Sequence, residues 1–256
     1  MRAAFAETIL MLEYNPGMSD ISSRQLVREF GSTRWSLVLE ASQNRCGALS
    51  ELCEAYWPSI YSFARRKGHS PPDAEDLTQG FFAYLLGENS IGKADPNRGR
   101  FRSFLLTSFR NFMVNEWGRR QAQKRGGQTT IFSIDFERGE DAYRRSNASL
   151  TPDEIFDRQW AAALLDRVLE RLRAEYEAAG RLENYNVLKV FLAGKSTEMS
   201  FREGADRLGT SESAAMSAAS RMRRRYRELL VAEIAETVAS PDEIDDEVRA
   251  LFRSLG

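Results

Sequence analysis

The sequence is poor in the residues on which most enzyme sites depend. Its single histidine, His69, leaves no second histidine for a His-rich zinc site or for a His-Glu-x-x-His metalloprotease helix. No glycine-rich phosphate loop and no Rossmann glycine fingerprint occurs either. The acidic run Asp73, Glu75 and Asp76 is the one candidate site for a divalent metal, although the dipole of a helix start favours acidic residues by itself. We therefore expect a protein that is not an enzyme and that requires no cofactor or metal.

Cysteine and long apolar runs are also scarce. The two cysteines, Cys46 and Cys53, would lie roughly 10 Å apart along one helix, which is too far for a disulfide. Such thiols are typical of buried positions in a reducing cytoplasm. No apolar run approaches the ~20 residues of a membrane span. Residues 1–30 lack a signal-peptide cleavage site and form a leader that we expect to be disordered. These absences favour a cytoplasmic protein without a membrane partner.

Charge is distributed unevenly along the chain, although the net charge of the 256 residues is only −1. The stretch from Arg98 to Arg125 contains eight basic residues and one acid, and the stretch from Arg221 to Arg227 contains five arginines and no acid. The chain from Glu228 onward contains eight acidic residues and two arginines. Two basic clusters that are far apart in sequence indicate two phosphate-contacting surfaces.

Apolar residues recur at helical spacing in four stretches, and no strand pattern of similar clarity interrupts them. The stretch 101–117 has aromatic residues on one face and basic residues at its ends, so its rings either form a core or stack on the bases of single-stranded DNA. The predicted fold class is all-α, with two helical domains joined by a flexible linker and a helix-turn-helix at the end of the C-terminal domain. The expected boundaries are residues 31–127 for the first domain, 128–152 for the linker, 153–238 for the second domain and 239–256 for an acidic extension.

The predicted helix-turn-helix lies between residues 199 and 230. Ser200 and Glu203 form a capping-box pattern that starts a helix, and Gly209 suits a helix end that needs a left-handed residue. Thr210 or Ser211 would cap a second helix, which begins with small polar residues and ends in arginines. In this motif the start of the second helix enters the major groove of DNA. An ordinary helical hairpin with a solvated basic end would explain the same pattern.

Three segments occur in a recognisable order: the acidic helix DAEDLTQGFFAYLL, the aromatic and basic stretch ending NFMVNEWGRR, and the arginine-rich end SRMRRRYRELL. This order resembles a bacterial RNA polymerase sigma factor of the extracytoplasmic-function (ECF) group, over roughly residues 49–230. The resemblance implies a factor that binds core RNA polymerase, recognises the −35 and −10 promoter elements and assists promoter melting. The implied partners are the clamp coiled coil of the largest polymerase subunit, promoter DNA and, as a further candidate, an anti-sigma factor.

The resemblance also implies three sets of contact residues. The core-polymerase contacts would be Asp73, Glu75, Asp76, Gln79 and Phe82. The −10 contacts would be Arg100, Arg102, Asn111, Asn115, Arg119 and Arg120. The −35 contacts would be Ser211, Ser213, Ala214, Ser217, Ser220, Arg221, Arg224 and Arg225, with the arginines holding phosphates. Met216 and Ala218 stand where many relatives place a lysine and an arginine, so thymine-methyl contacts and DNA shape would have to replace those side chains.

Two other functions account for part of the sequence. A free-standing helix-turn-helix regulator that binds duplex DNA as a dimer would explain the C-terminal half but leaves DAEDLTQ and the aromatic, basic helix without a role. A helical metal-dependent hydrolase would use the acidic run that begins at Asp73, although the sequence offers it no further paired acids.

The acidic extension would shield the basic reading helix from random DNA, in which case truncation after Glu236 should raise the affinity for random DNA.

Overall fold

The structure is a computed structural model that describes residues 46–255, with gaps at 88–90, 92–93, 96–99, 123–133, 147, 193–197, 236–237 and 239–240; at 46–51, 86–87, 116–122 and 241 it describes the backbone alone. Its α-helices are α1 (Cys46–Arg66), α2 (Pro71–Gly87), α3 (Phe101–Ala122), α4 (Phe136–Arg144), α5 (Pro152–Ala178), α6 (Leu182–Leu188), α7 (Phe201–Arg207), α8 (Glu212–Ala235) and α9 (Ile244–Leu255). Short 3-10 turns cover Lys189–Phe191 and Pro241–Glu243. No strand occurs in these ranges, which confirms the all-α fold class.

The described residues divide into two compact units. The first unit comprises those within Ser32–Ala163 and Glu236–Glu243, and the second comprises those within Leu164–Ala235 and Ile244–Gly256. Helix α5 therefore contributes its N-terminal part to the first unit and the remainder to the second. None of the described helices combines the length and hydropathy that a membrane crossing requires.

Aromatic side chains form the core of the first unit. Phe81 of α2 lies 4.9 Å from Phe109 of α3 between ring centroids, and Phe63 of α1 lies 5.9 Å from the same ring. Tyr56 and Phe101 meet edge to face at 5.4 Å. Each of these rings is fully buried, which contributes about 1.5–3 kcal/mol of transfer free energy per side chain. The aromatic face of α3 is therefore core, and the alternative prediction that its rings stack on DNA bases is wrong for Phe101 and Phe109.

Helix α4 lies within residues 128–152, where an irregular linker is predicted, and it packs on α1. Gly139 allows the close approach, because a Cβ at this position would stand 2.6 Å from the Trp57 ring. Phe136 contacts the rings of Trp57 and Tyr61 at 5.7 and 5.5 Å. A nine-residue polar helix has too few turns to be stable alone, so these tertiary contacts stabilise it. At least this part of the predicted linker is ordered.

A buried carboxylate fixes α4 on α1. The Oε2 atom of Glu140 accepts hydrogen bonds from the Tyr61 hydroxyl and the Arg65 Nε, both at 2.8 Å, and Arg65 also donates to Oε1 at 3.0 Å. Arg144 adds a fourth bond at 3.1 Å. The Arg65 guanidinium holds the pKa of Glu140 at about 2, below its ordinary value of 4.5, against the opposing effect of burial. The charged form of Glu140 therefore stabilises the folded chain.

The second unit is built on the C-terminal part of α5. Glu233 of α8, which is buried, pairs with Arg167 and Arg171 of α5 at 3.6 and 3.1 Å. Helix α9 packs on α8 through Ile244, Val248 and Leu251, which are all buried. Residues 244–255 of the predicted acidic extension are thus an amphipathic helix with a buried apolar side. Truncation after Glu236 would uncover the apolar surface of α8 and would not test charge shielding alone.

Glu140→Gln should lower the free energy of unfolding by about 3 kcal/mol at pH 7, because it breaks a buried ion pair. The folded-state pKa lies below the unfolded-state value, so the contribution is complete above about pH 4.5 and is lost as the pH falls toward about 2. The difference between wild type and variant in urea unfolding should shrink over that window. Glu137→Gln, which removes an exposed carboxylate from the same helix, is the control. A difference that does not change with pH would contradict this assignment.

Candidate functional site

Helix α2 presents an acidic and polar face to solvent. Its start is fixed by Ser70, whose hydroxyl donates to the Asp73 carboxylate at 2.6 Å and accepts from the Asp73 backbone N–H at 3.3 Å. Asp73 and Asp76 are exposed and Gln79 is half-buried. Because residues three apart are neighbours on a helix, these side chains form one face. This face can contact a partner that offers basic or amide groups.

Two other predicted core-polymerase contacts are less exposed: Phe82 lies away from that face and Glu75 lies at its edge. Phe82 is 2% exposed and its ring lies 5.7 Å from that of Phe81, so it belongs to the hydrophobic core and presents nothing to a partner in this structure. Glu75 is half-buried, between the buried Ala74 and the exposed Asp76. Phe82 follows the buried residues Ala74 and Thr78 by eight and four positions. Helical periodicity therefore predicts that its side chain lies on the buried side of α2.

Helix α3 has a polar strip opposite its aromatic face. Asn111 and Asn115 are exposed and are one turn apart. Val114, which lies beside them, is 73% exposed. An amide pair flanking an apolar side chain can contact both the edge and the face of an unstacked base. Val114 is not among the predicted contacts, although its departure from the apolar periodicity of its helix is a signal present in the sequence.

Arg102 is predicted to contact DNA, but its guanidinium lies inside the first unit. Its side chain is 10% exposed and forms an ion pair with Asp157 of α5. The guanidinium carbon lies 4.6 Å from the centroid of the buried Trp160 ring. Releasing Arg102 to a phosphate would break an ion pair and a cation–π contact together. In this structure Arg102 therefore joins α3 to α5, the helix that contains both Asp157 and Trp160.

The structure describes Arg100 fully and the other two predicted −10 arginines, Arg119 and Arg120, for the backbone alone. The Arg100 carbonyl accepts hydrogen bonds from the backbone N–H groups of Ser103 and Phe104 at 3.0 and 3.2 Å, so Arg100 marks the start of α3, and it is half-buried. The backbone of Arg119 and Arg120 is helical, but their side chains lie outside the described part of the structure.

The local features predicted for residues 200–211 are present. The Ser200 hydroxyl accepts from the Glu203 backbone N–H at 3.2 Å, and Glu203 accepts from the Ser200 backbone N–H at 2.8 Å, which is a complete capping box. Gly209 has a φ of +61°, a left-handed conformation that glycine adopts without strain. Ser211 caps α8 by accepting from the Ala214 N–H at 3.3 Å. The turn between α7 and α8 is therefore specified by its own residues.

The first turns of α8 present small polar side chains on one face. Ser213, Ser217 and Ser220 are exposed, and their spacing of four and three residues places them on the same side of the helix. Ser211 and Ala214, also predicted contacts, are exposed at the helix start. Ala215, Ala219 and Met222 occupy the opposite, buried side. The structure therefore brings the predicted −35 residues of this segment onto one solvent-facing surface.

The predicted phosphate-binding arginines of α8 are not equivalent. Arg221 is exposed, and the Arg224 side chain is 81% exposed, with a contact to Glu228 at 3.1 Å. Arg225 instead forms a bidentate pair with Glu175 of α5 at 2.8 and 2.7 Å. This pairing raises the pKa of Arg225 and lowers that of Glu175. Arg225 is predicted to hold DNA, but in this structure it joins α8 to α5.

Among the residues that the structure describes, no group of three or more His, Cys, Asp or Glu side chains is arranged to hold a metal ion. Cys53 is buried in α1, and burial raises the pKa of its thiol to about 12. Its position agrees with the prediction that this cysteine is buried.

The first unit is all-helical in its described part. In it α2 presents an exposed acidic face, and the neighbouring α3 carries an exposed polar strip. Residues 52–123, which span α1 from Leu52, all of α2 and all of α3, match the family of sigma-70 region 2. This match supports a sigma-70 family factor. That family consists of transcription initiation factors and not of enzymes, and it implies core RNA polymerase and promoter DNA as partners. No curated protein and no solved structure matches the chain.

The pairing of Arg225 with Glu175 generates a stability prediction. Arg225→Ala and Glu175→Gln should each lower the free energy of unfolding by about 1–2 kcal/mol, because each removes a partly buried bidentate pair. The double variant should cost little more than Arg225→Ala alone, which removes this pair together with the contact of Arg225 to Glu228 at 3.0 Å. Arg224→Ala, at an exposed position of the same helix, should change stability by less than about 0.5 kcal/mol. Fully additive losses in chemical denaturation would contradict the pairing.

Proposed function

We propose that the chain is a sigma factor of the ECF type, which binds core RNA polymerase and directs it to promoters through two DNA-contacting helices. The observation that carries the proposal is the match of residues 52–123 to sigma-70 region 2 over helices whose outer faces are acidic on α2 and polar on α3. The ECF group is favoured by the order of the two basic helices and by the helix-turn-helix pattern of α7 and α8.

Helix α2 would dock on the clamp coiled coil of the largest polymerase subunit. Asp73, Asp76 and Gln79 are the side chains on its outer face, and they would pair with basic and amide groups of the partner. Glu75 would act at the edge of this face. Phe82 would support the face from the core, because it is buried between α2 and the rest of the unit.

Helix α3 would contact the −10 element as its strands separate. Asn111 and Asn115 offer amide donors and acceptors to base edges, and the exposed Val114 offers an apolar surface to an unstacked base. Arg100, Arg119 and Arg120 would contribute positive charge near phosphates. Arg102 would act indirectly by fixing the start of α3 through Asp157 and Trp160.

Helix α8 would read the −35 element from the major groove. Its exposed start, with Ser211, Ser213, Ala214, Ser217 and Ser220, would face the base edges. Arg221 and Arg224 would hold phosphates, which position the helix without specifying sequence. Arg225 would keep α8 in place through Glu175. An anti-sigma factor and a cytoplasmic location complete the proposal as expectations from the ECF resemblance.

Core binding is tested by capture of purified core RNA polymerase on the tagged chain. Asp76→Arg should abolish capture, because it places a positive charge on the face that would meet a basic partner. The variant should remain folded, since Asp76 is exposed.

Glu137→Arg reverses an exposed charge of α4, outside the matched residues, and should leave capture unchanged. Capture by the Asp76 variant at the wild-type level would contradict the docking surface. Failure of the wild-type chain, where a control sigma factor binds, would favour a dimeric helix-turn-helix regulator.

A further inference from the structure

Two large apolar side chains are exposed among the residues that the structure describes, Val114 and Met216. Met216 lies in the second turn of α8 and is 50% exposed, whereas Met222 of the same helix is fully buried. Burying a methionine side chain stabilises a folded protein, so an outward position forgoes much of this stabilisation. Its location on the face that would meet DNA suggests that Met216 contributes to binding.

The neighbours of Met216 define the surface to which it belongs. Ser213 lies three residues before it and Ser220 four residues after it, so these hydroxyls flank the thioether along one side of the helix. Ser217 completes the exposed group. In the major groove a serine hydroxyl donates or accepts, so it bonds to either member of a base pair and discriminates little. The serines of this surface therefore leave sequence choice largely open.

Met216 differs from its neighbours because its side chain has no strong hydrogen-bonding group. The apolar feature that base edges offer in the major groove is the C5 methyl group of thymine. A flexible thioether can follow the position of that methyl group within the groove. Packing of the two groups removes apolar surface from water, which favours thymine over the other bases.

We propose that Met216 is a specificity-determining residue of the −35 contact and selects a thymine by packing its side chain against the C5 methyl group. This inference rests on the proposed function, because it requires the start of α8 to lie in the major groove. It assigns sequence choice at one base pair to an apolar contact, while Arg221 and Arg224 hold phosphates and the serines bond to base edges without strong preference.

The test removes a single methyl group from the DNA. The full-length chain first selects sequences from a pool of random duplexes, once alone and once assembled with core RNA polymerase. Each thymine of the selected duplex is then replaced in turn by deoxyuridine, which lacks only the C5 methyl group. At one position this replacement should weaken wild-type binding about fourfold, the factor that corresponds to one buried methyl group. The same replacement should leave binding by Met216→Ala unchanged.

Two further variants separate the contact from general effects on the fold. Met216→Leu keeps an apolar side chain and should retain the dependence on the methyl group, whereas Met216→Gln should lose it. Glu137→Gln, at an exposed position of α4 outside the proposed DNA-contacting helices, should retain the wild-type dependence. Thermal unfolding should show all four variants folded, because both positions are exposed.

Three results decide the matter. Loss of the thymine-methyl dependence in Met216→Ala supports the inference. A dependence of the same size in wild type and Met216→Ala would overturn the role of Met216 and leave the proposed function intact. Enrichment of no sequence, with or without core polymerase, would overturn this inference together with the proposed function.

Discussion

Carboxylates of α5 hold arginines that the charge pattern alone would assign to DNA. In the first unit Asp157 pairs with Arg102, and in the second unit Glu175 forms a bidentate pair with Arg225. Hydrogen bonds between charged groups are about twice as strong as those between neutral groups. Leaving a partly buried guanidinium without its carboxylate therefore costs free energy of folding. The position of each basic helix therefore depends on a side chain of α5, and the arginines left exposed are those available to a phosphate.

This division gives the two basic helices a common design. Helix α3 has two arginines paired with carboxylates of α5, Arg102 and Arg110, and α8 has Arg225. Among the side chains that the structure describes, each helix also has a buried apolar face and a solvent face of small or amide side chains with one large exposed apolar residue. On α3 that residue is Val114, between Asn111 and Asn115, and on α8 it is Met216, between serines. Rigid helices position base-contacting groups more accurately than loops do. Such an arrangement suits a factor in which positioning and sequence choice belong to different side chains.

The features that follow from neighbouring residues could be predicted from the sequence. The Ser200–Glu203 capping box and the left-handed Gly209 are specified within a few residues, and both are present. The partners of Arg102 and Arg225 could not be predicted, because they lie 55 and 50 residues away along the chain. Helix α4 was missed for a similar reason: its stability comes from tertiary contacts, and its short polar sequence lacks a clear apolar period. Local pattern therefore locates the helices, whereas tertiary pairing decides which charged side chains remain free for a partner.

The most direct measurement of the central claim is the mapping of RNA 5′ ends made in vitro from a fragmented bacterial genome by core RNA polymerase, with and without this chain. A factor that lends promoter recognition to the polymerase should produce start sites absent from core alone, preceded by two shared sequence elements at a fixed spacing. Start sites that are identical with and without the chain, or that share no upstream sequence, would contradict the account.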